Sequence, residues 1–199
     1  MKTLKFLIAI ALLIAPLAAA LNAQQQEMSP EQQAMMKAYM AAATPGAPHK
    51  AMQNLVGTWN STIKMYDNPA GTPTETKGKS TFTSVMDGRY LQEHAEGNFN
   101  GMPFNGYGTY GYDNVTKKYV ASWIDSMGTG IMQSTGTSPD DGTTINWEGT
   151  SSDPITGKML TFHSSMKMVN SNEYHFEMNG PGPDGKEIKM MEIQYMRAK

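Results

Sequence analysis

Cysteine does not occur anywhere in the 199 residues. Its absence excludes disulfides, a lipid-anchored cysteine and any thiolate metal site, so the fold must rest on its core alone. Charge is sparse as well: 17% of the residues are charged, and no basic run is longer than Lys117-Lys118. A nucleic-acid face needs clustered lysine and arginine, so that class of partner is not expected. Signatures of common chemistry are missing too. The chain has no G-x-S-x-G elbow and no phosphate-binding G-x-x-x-x-G-K-[ST] loop. Its four histidines, His49, His94, His163 and His175, form no H-x-H or H-x-x-x-H pair. No catalytic residue and no metal ligand is predicted from these patterns.

Long apolar runs are confined to the first residues. MKTLKFLIAIALLIAPLAAALNA (1–23) combines a positive start at Lys2 and Lys5, an apolar stretch from Leu7 to Ile14 and a small-residue Ala18-x-Ala20 site. This is the pattern of a cleaved secretory signal. The run is broken at Pro16 and is short against the roughly 20 residues of a membrane-spanning helix. The expected location is therefore the periplasm or the outside of the cell, with no stable membrane insertion after cleavage. An uncleaved anchor is the alternative. Loss of Lys2 and Lys5 takes the formal charge from −2 to −4.

Two regions remain. Residues 24–55 carry helix signals: Ser29 as a cap, Pro30 in the first turn and Gln32 to complete a capping box. Met36, Tyr39, Met40 and Ala43 recur at helical spacing, and Thr44-Pro45-Gly46 ends the helix. Such a methionine stripe either packs against the domain or docks a protein partner, whose identity stays unknown. From Gly57 onward, turn signals such as Asp67-Asn68-Pro69, Asp87-Gly88, Asn100-Gly101, Asp140-Asp141-Gly142 and Pro183-Asp184-Gly185 punctuate short alternating segments. With a break near Met127-Gly128, the count is about ten strands and no βαβ unit. Residues 56–199 are predicted to form an all-β, antiparallel barrel preceded by the helical segment. Gly106-Tyr107-Gly108-Thr109-Tyr110-Gly111 fits G-x-G-x-x-G, but a turn and another strand follow it where a nucleotide site needs a helix. Glycines alternating with tyrosines mark instead a bent barrel strand with close backbone approach.

A barrel is favoured over a sandwich by the two ends of this region. Gly57-Thr58-Trp59 after a short helical approach resembles the opening of lipocalin and fatty-acid-binding barrels. In those families an arginine near the end of the last strand packs over the tryptophan, and Arg197 of YMRAK stands in the matching place. Gly57, Trp59 and Arg197 are thus the expected closing group. A wider resemblance runs through PGAPHKAMQNLVGTW, DGRYLQE, GMPFNGYGTYGYDNVTKKYVASWIDSMGT and PDGKEIKMMEIQYMR. These stretches resemble the bacterial family called domain of unknown function 1579, whose members are predicted lipocalin-like barrels. The resemblance implies a lipocalin-like fold and export, and lends no catalytic residue.

Alternation places Tyr119, Ala121, Trp123 and Asp125 on one strand face and Ile145 with Trp147 on another. If these faces are interior, a carboxylate sits beside an indole and needs a polar partner. Arg89 and His94 are candidates, although their opposite parity allows only one to face inward without a bulge. His163 follows on the next strand. Apolar walls with a few convergent polar groups describe a pocket for a small, largely apolar molecule. Otherwise Trp123 and Trp147 fill the core and Asp125 bonds a turn. Along the last strand, Met191, Ile193, Tyr195 and Arg197 share one parity, which sets Glu192 and Gln194 outside. The leading expectation is an exported binding barrel without a cofactor. Alternatives are haem held by one buried histidine, an enzyme pairing Asp125 with a histidine, and an interaction protein with a filled barrel that docks through its N-terminal helix.

Overall fold

The computed structural model describes residues 28–66, 71–99, 101–182 and 184–199. The expected signal segment, residues 1–23, lies outside the described residues. The chain divides into two compact units after Ala41. Helix α1 (Pro30–Ala43) begins with the capping box its sequence predicts. The Gln32 backbone N–H donates to Ser29 Oγ at 3.2 Å, and the Ser29 N–H donates to Gln32 Oε1 at 2.9 Å. None of its residues is buried, and Met35, Met36, Tyr39 and Met40 are exposed.

In the second unit, helix α2 (Ala47–Met52) and a 3-10 turn (Gln53–Leu55) lead into ten strands. These are β1 (Gly57–Met65), β2 (Thr74–Val85), β3 (Tyr90–Phe99), β4 (Met102–Asp113), β5 (Lys118–Asp125), β6 (Met132–Thr137), β7 (Thr144–Ser152), β8 (Met159–Asn170), β9 (Glu173–Pro181) and β10 (Glu187–Arg197). Every strand is antiparallel to its chain neighbour, and β10 returns to pair with β1, so the sheet closes into a barrel. Closure leaves no edge strand to be protected. Alternation within the strands is direct: in β7, Ile145, Trp147 and Gly149 are buried while Asn146 and Glu148 are exposed. Turn chemistry fixes the hairpins. Asp113 accepts from the Val115 N–H at 2.8 Å, and Asp140 and Asp153 brace their loops in the same way.

One end of the barrel is filled by a cluster of buried side chains. Trp59 is fully buried and its Nε1 donates to the Leu55 carbonyl at 2.7 Å. Arg197, its register partner across β1 and β10, lies over the indole with Cζ 4.1 Å from the ring centroid. The guanidinium donates to the carbonyls of Asn54, Val56 and Ser171 at 2.7–2.8 Å. Gly57 has φ +121°, and a Cβ there would stand 2.9 Å from Arg197 Nη1, so the position needs glycine twice over. Met52 and Leu55 are buried with Trp59, Phe82, Leu91 and Tyr174. His49 is buried here as well, its Nδ1 accepting from the Gly46 N–H at 3.0 Å. Burial holds its pKa below the usual histidine value.

Candidate functional site

Above this base the barrel is hollow. A cavity of about 450 Å³ extends from Ser80, Glu93, Tyr110 and Tyr195 toward the other end, where Thr74, Phe99, Phe104 and Met127 border it. Its walls are supplied by inward-facing positions such as Ile63, Ala121, Met166, Phe176, Met178 and Ile193. The parity expected for the last strand holds: Met191, Ile193 and Tyr195 line the cavity, and Glu192 stands outside with Tyr66 and Lys189.

Two indoles of the cavity wall lie against glycines, Trp123 over Gly106 and Trp147 over Gly136. Trp123 leans along β5, and its Nε1 donates to Asp125 Oδ2 at 2.9 Å. Its ring covers Gly106 on β4, where a Cβ would come within 2.2 Å of Trp123 Cζ2. A glycine inside this strand weakens it in isolation, and here it makes room for the indole. That is the role the G-x-G-x-x-G stretch takes, entirely within β4. Asp125 spends its other oxygen on the Met127 N–H at 2.9 Å, so it both orients Trp123 and fixes the turn. Trp147 is buried lower down, edge-on to Tyr110 and Tyr119, each at 6.1 Å between ring centroids.

The candidate residues therefore divide. Trp123, Asp125 and Trp147 border the cavity. Tyr119 belongs to the packed base, against Tyr112 at 5.0 Å. Arg89, His94 and His163 do not line the cavity, contrary to expectation. Arg89 sits in the β2–β3 hairpin, bonded to the Met86 carbonyl and paired with Asp87. His94 and His163 occupy outward alternates of β3 and β8. His94 stacks on Tyr107 at 4.5 Å, and His163 bonds Glu187 at 3.0 Å. Strand parity, which separates neighbours onto opposite faces, is the reason. The pairing of Asp125 with His94 or His163 is thereby lost. A haem ligand would also have to come from elsewhere, since His175 bonds Glu173 on the surface and His49 is engaged at the base.

The polar group at the cavity floor is one the sequence reading missed. Glu93 is 4% exposed and accepts from the Tyr110 hydroxyl at 2.6 Å, and Ser80 hydrogen-bonds it as well. Burial pushes the Glu93 carboxyl up from its ordinary value, against the lowering effect of those hydrogen bonds. The same burial raises Tyr110 and Tyr174. Tyr174 stacks on Tyr195 at 4.1 Å, and its buried hydroxyl lies beside the Tyr195 hydroxyl without forming a well-aligned hydrogen bond. The signal was present in Leu91-x-Glu93-x-Ala95-x-Gly97, a run whose smaller and apolar members share Glu93's parity.

Residues 44–197 match a family model described as protein of unknown function (DUF1579). No curated protein matches this sequence. Among solved structures, Rv2717c from M. tuberculosis aligns with a TM-score of 0.59 at 15% identity, covering 78% of this chain and 100% of that one. The S-type phycobiliprotein lyase CPES from Guillardia theta aligns with a TM-score of 0.53 at 11% identity, covering 81% and 97%. Likeness at such identities shows a common barrel fold and carries nothing about ligands.

Proposed function

Since the chain belongs to the DUF1579 family, whose description assigns no activity, its own cavity must carry the functional reading, and we propose an exported barrel that binds one small, largely apolar molecule inside. The cavity is the observation that carries this. About 450 Å³ of space lies within the roughly 300–1,000 Å³ of small-molecule pockets. Its walls are mostly apolar, with Ser80 and Glu93 at the floor, Asp125 beside Trp123, and scattered hydroxyls such as Ser61, Ser134 and Ser164. Binding follows from shape and burial, without any catalytic group. Asp125 is committed to Trp123 and a turn, which favours a wall-forming role over acid–base work.

Export is supported by the pattern of residues 1–23 alone. N-terminal sequencing of protein from its native host should find a start between Leu21 and Gln24. Native mass spectrometry of the same material tests the binding reading: a retained mass of a few hundred daltons, released on unfolding, is expected. A protein free of adducts that also fails to take up the neutral dye Nile red saturably would overturn it.

A further inference from the structure

An isolated carboxylic acid is costly at the floor of an apolar cavity, and buried carboxyls are normally paired with a positive partner. Glu93 has none. It faces inward on β3 opposite the buried Phe82, and the groups bonded to it are the hydroxyls of Tyr110 and Ser80. Among the described residues, the one basic residue on the cavity border is Lys79, which is exposed on the outward alternate of β2. Around Glu93 stand aromatic faces: Tyr174 stacked on Tyr195, and Tyr110 edge-on to Trp147. Tyr174 also borders the cavity, and its buried hydroxyl, beside that of Tyr195, accepts no well-formed hydrogen bond.

A carboxylate, ring faces and a vacant hydroxyl lone pair are three features a cation uses. An ammonium carries three donors and no acceptor, and it is attracted to aromatic faces. Resting on the binding function proposed above, we propose that the ligand is a cationic amphiphile, an alkyl or aryl amine. Its ammonium sits at the floor between Glu93 and the Tyr174 hydroxyl, and its apolar body fills the cavity above. An ammonium seated beside Glu93 stabilises its charged form, so the bound state is a carboxylate–ammonium pair. An anionic head finds no cation there and faces Glu93 directly. A neutral alcohol gains only an ordinary hydrogen bond, which is the weaker kind.

The test is displacement of bound Nile red from the full chain by decylamine, decanol and decanoate at neutral pH. Decylamine should act at about tenfold or more lower concentration than decanol, with decanoate weakest, because hydrogen bonds to charged groups are the stronger ones. Glu93→Gln should bring decylamine and decanol within about threefold of each other. Infrared difference spectra of the wild type give a second readout that needs no variant. The carboxyl stretching bands of Glu93 should shift with decylamine and stay in place with decanol. Equal potency of amine and alcohol, or carboxyl bands unchanged at saturating decylamine, overturns the amine assignment while leaving the binding function standing. If Nile red itself does not bind and no competitor alters the protein, the binding function falls first, and the amine assignment with it.

Discussion

Arg197 and Trp59 are register partners across the strands that close the barrel, and the guanidinium carbon lies 4.1 Å from the indole centroid. The contact joins the first strand to the last while the same guanidinium satisfies three backbone carbonyls. Arg197→Ala should therefore cost more than the ~0.5–2 kcal/mol of the cation–π contact alone, since carbonyls lose their donors as well. Arg197→Lys should recover little, because an ammonium cannot reproduce the planar fork. A denaturation cycle with Trp59→Ala should return a coupling of about 0.5–3 kcal/mol. Simple additivity would count against the closing contact.

Glu93 sets a pH dependence of opposite sign to most carboxylates. Its folded pKa is raised by burial. The contribution is therefore complete below the unfolded pKa and is lost as pH rises through the folded value. Each pH unit between the two is worth about 1.4 kcal/mol. Thermal melts from acid to neutral pH should show the wild type losing ground to Glu93→Gln as the pH rises. Parallel curves for the two proteins would mean that folding does not raise the Glu93 carboxyl.

Gly106 yields its face to Trp123, which borders the cavity. Gly106→Ala should push the indole inward, destabilise by about 1–3 kcal/mol as overpacking does, and weaken dye binding. Adding Trp123→Leu should relieve the strain. A crystal structure or a melt of the double variant no better than that of Gly106→Ala would show that the contact is not limiting.

Trp123 borders the cavity and Trp59 is sealed in the base, so an apolar probe should report mainly on Trp123. Trp123→Phe should remove most of the change in tryptophan emission on dye binding. Asp125→Asn, which keeps an acceptor for the indole N–H, should melt close to wild type. Asp125→Ala should cost about 1–3 kcal/mol by leaving that donor unpaired. An Asp125→Asn loss as large as that of Asp125→Ala would indicate that the negative charge itself is needed.

The strand count and the antiparallel order were legible in the sequence because they rest on local chemistry, and closure was legible through the resemblance of Gly57-Thr58-Trp59 and Arg197 to lipocalin barrels. Asp-Gly and Asn-Gly pairs mark turns by their backbone preferences, and alternation marks strands by the period of the pleat. The face of β10 was legible too, since placing Arg197 over Trp59 fixes which alternate is inside. On β3 no such anchor existed. Tyr90, Gln92 and His94 on one parity and Leu91, Glu93 and Ala95 on the other each mix polar and apolar residues. The pairing of β3 with β2 decides between them: Phe82 is interior, and Glu93 opposite it must be interior as well. Residue pattern alone pointed to a barrel and to the place where its ends meet. The side chains packed at one end, the hollow above them, the glutamate at its floor and the outward histidines of β3 and β8 emerge once the strands are assembled. An isolated strand specifies the spacing of its two faces, and it takes the neighbouring strands to specify which of them is enclosed.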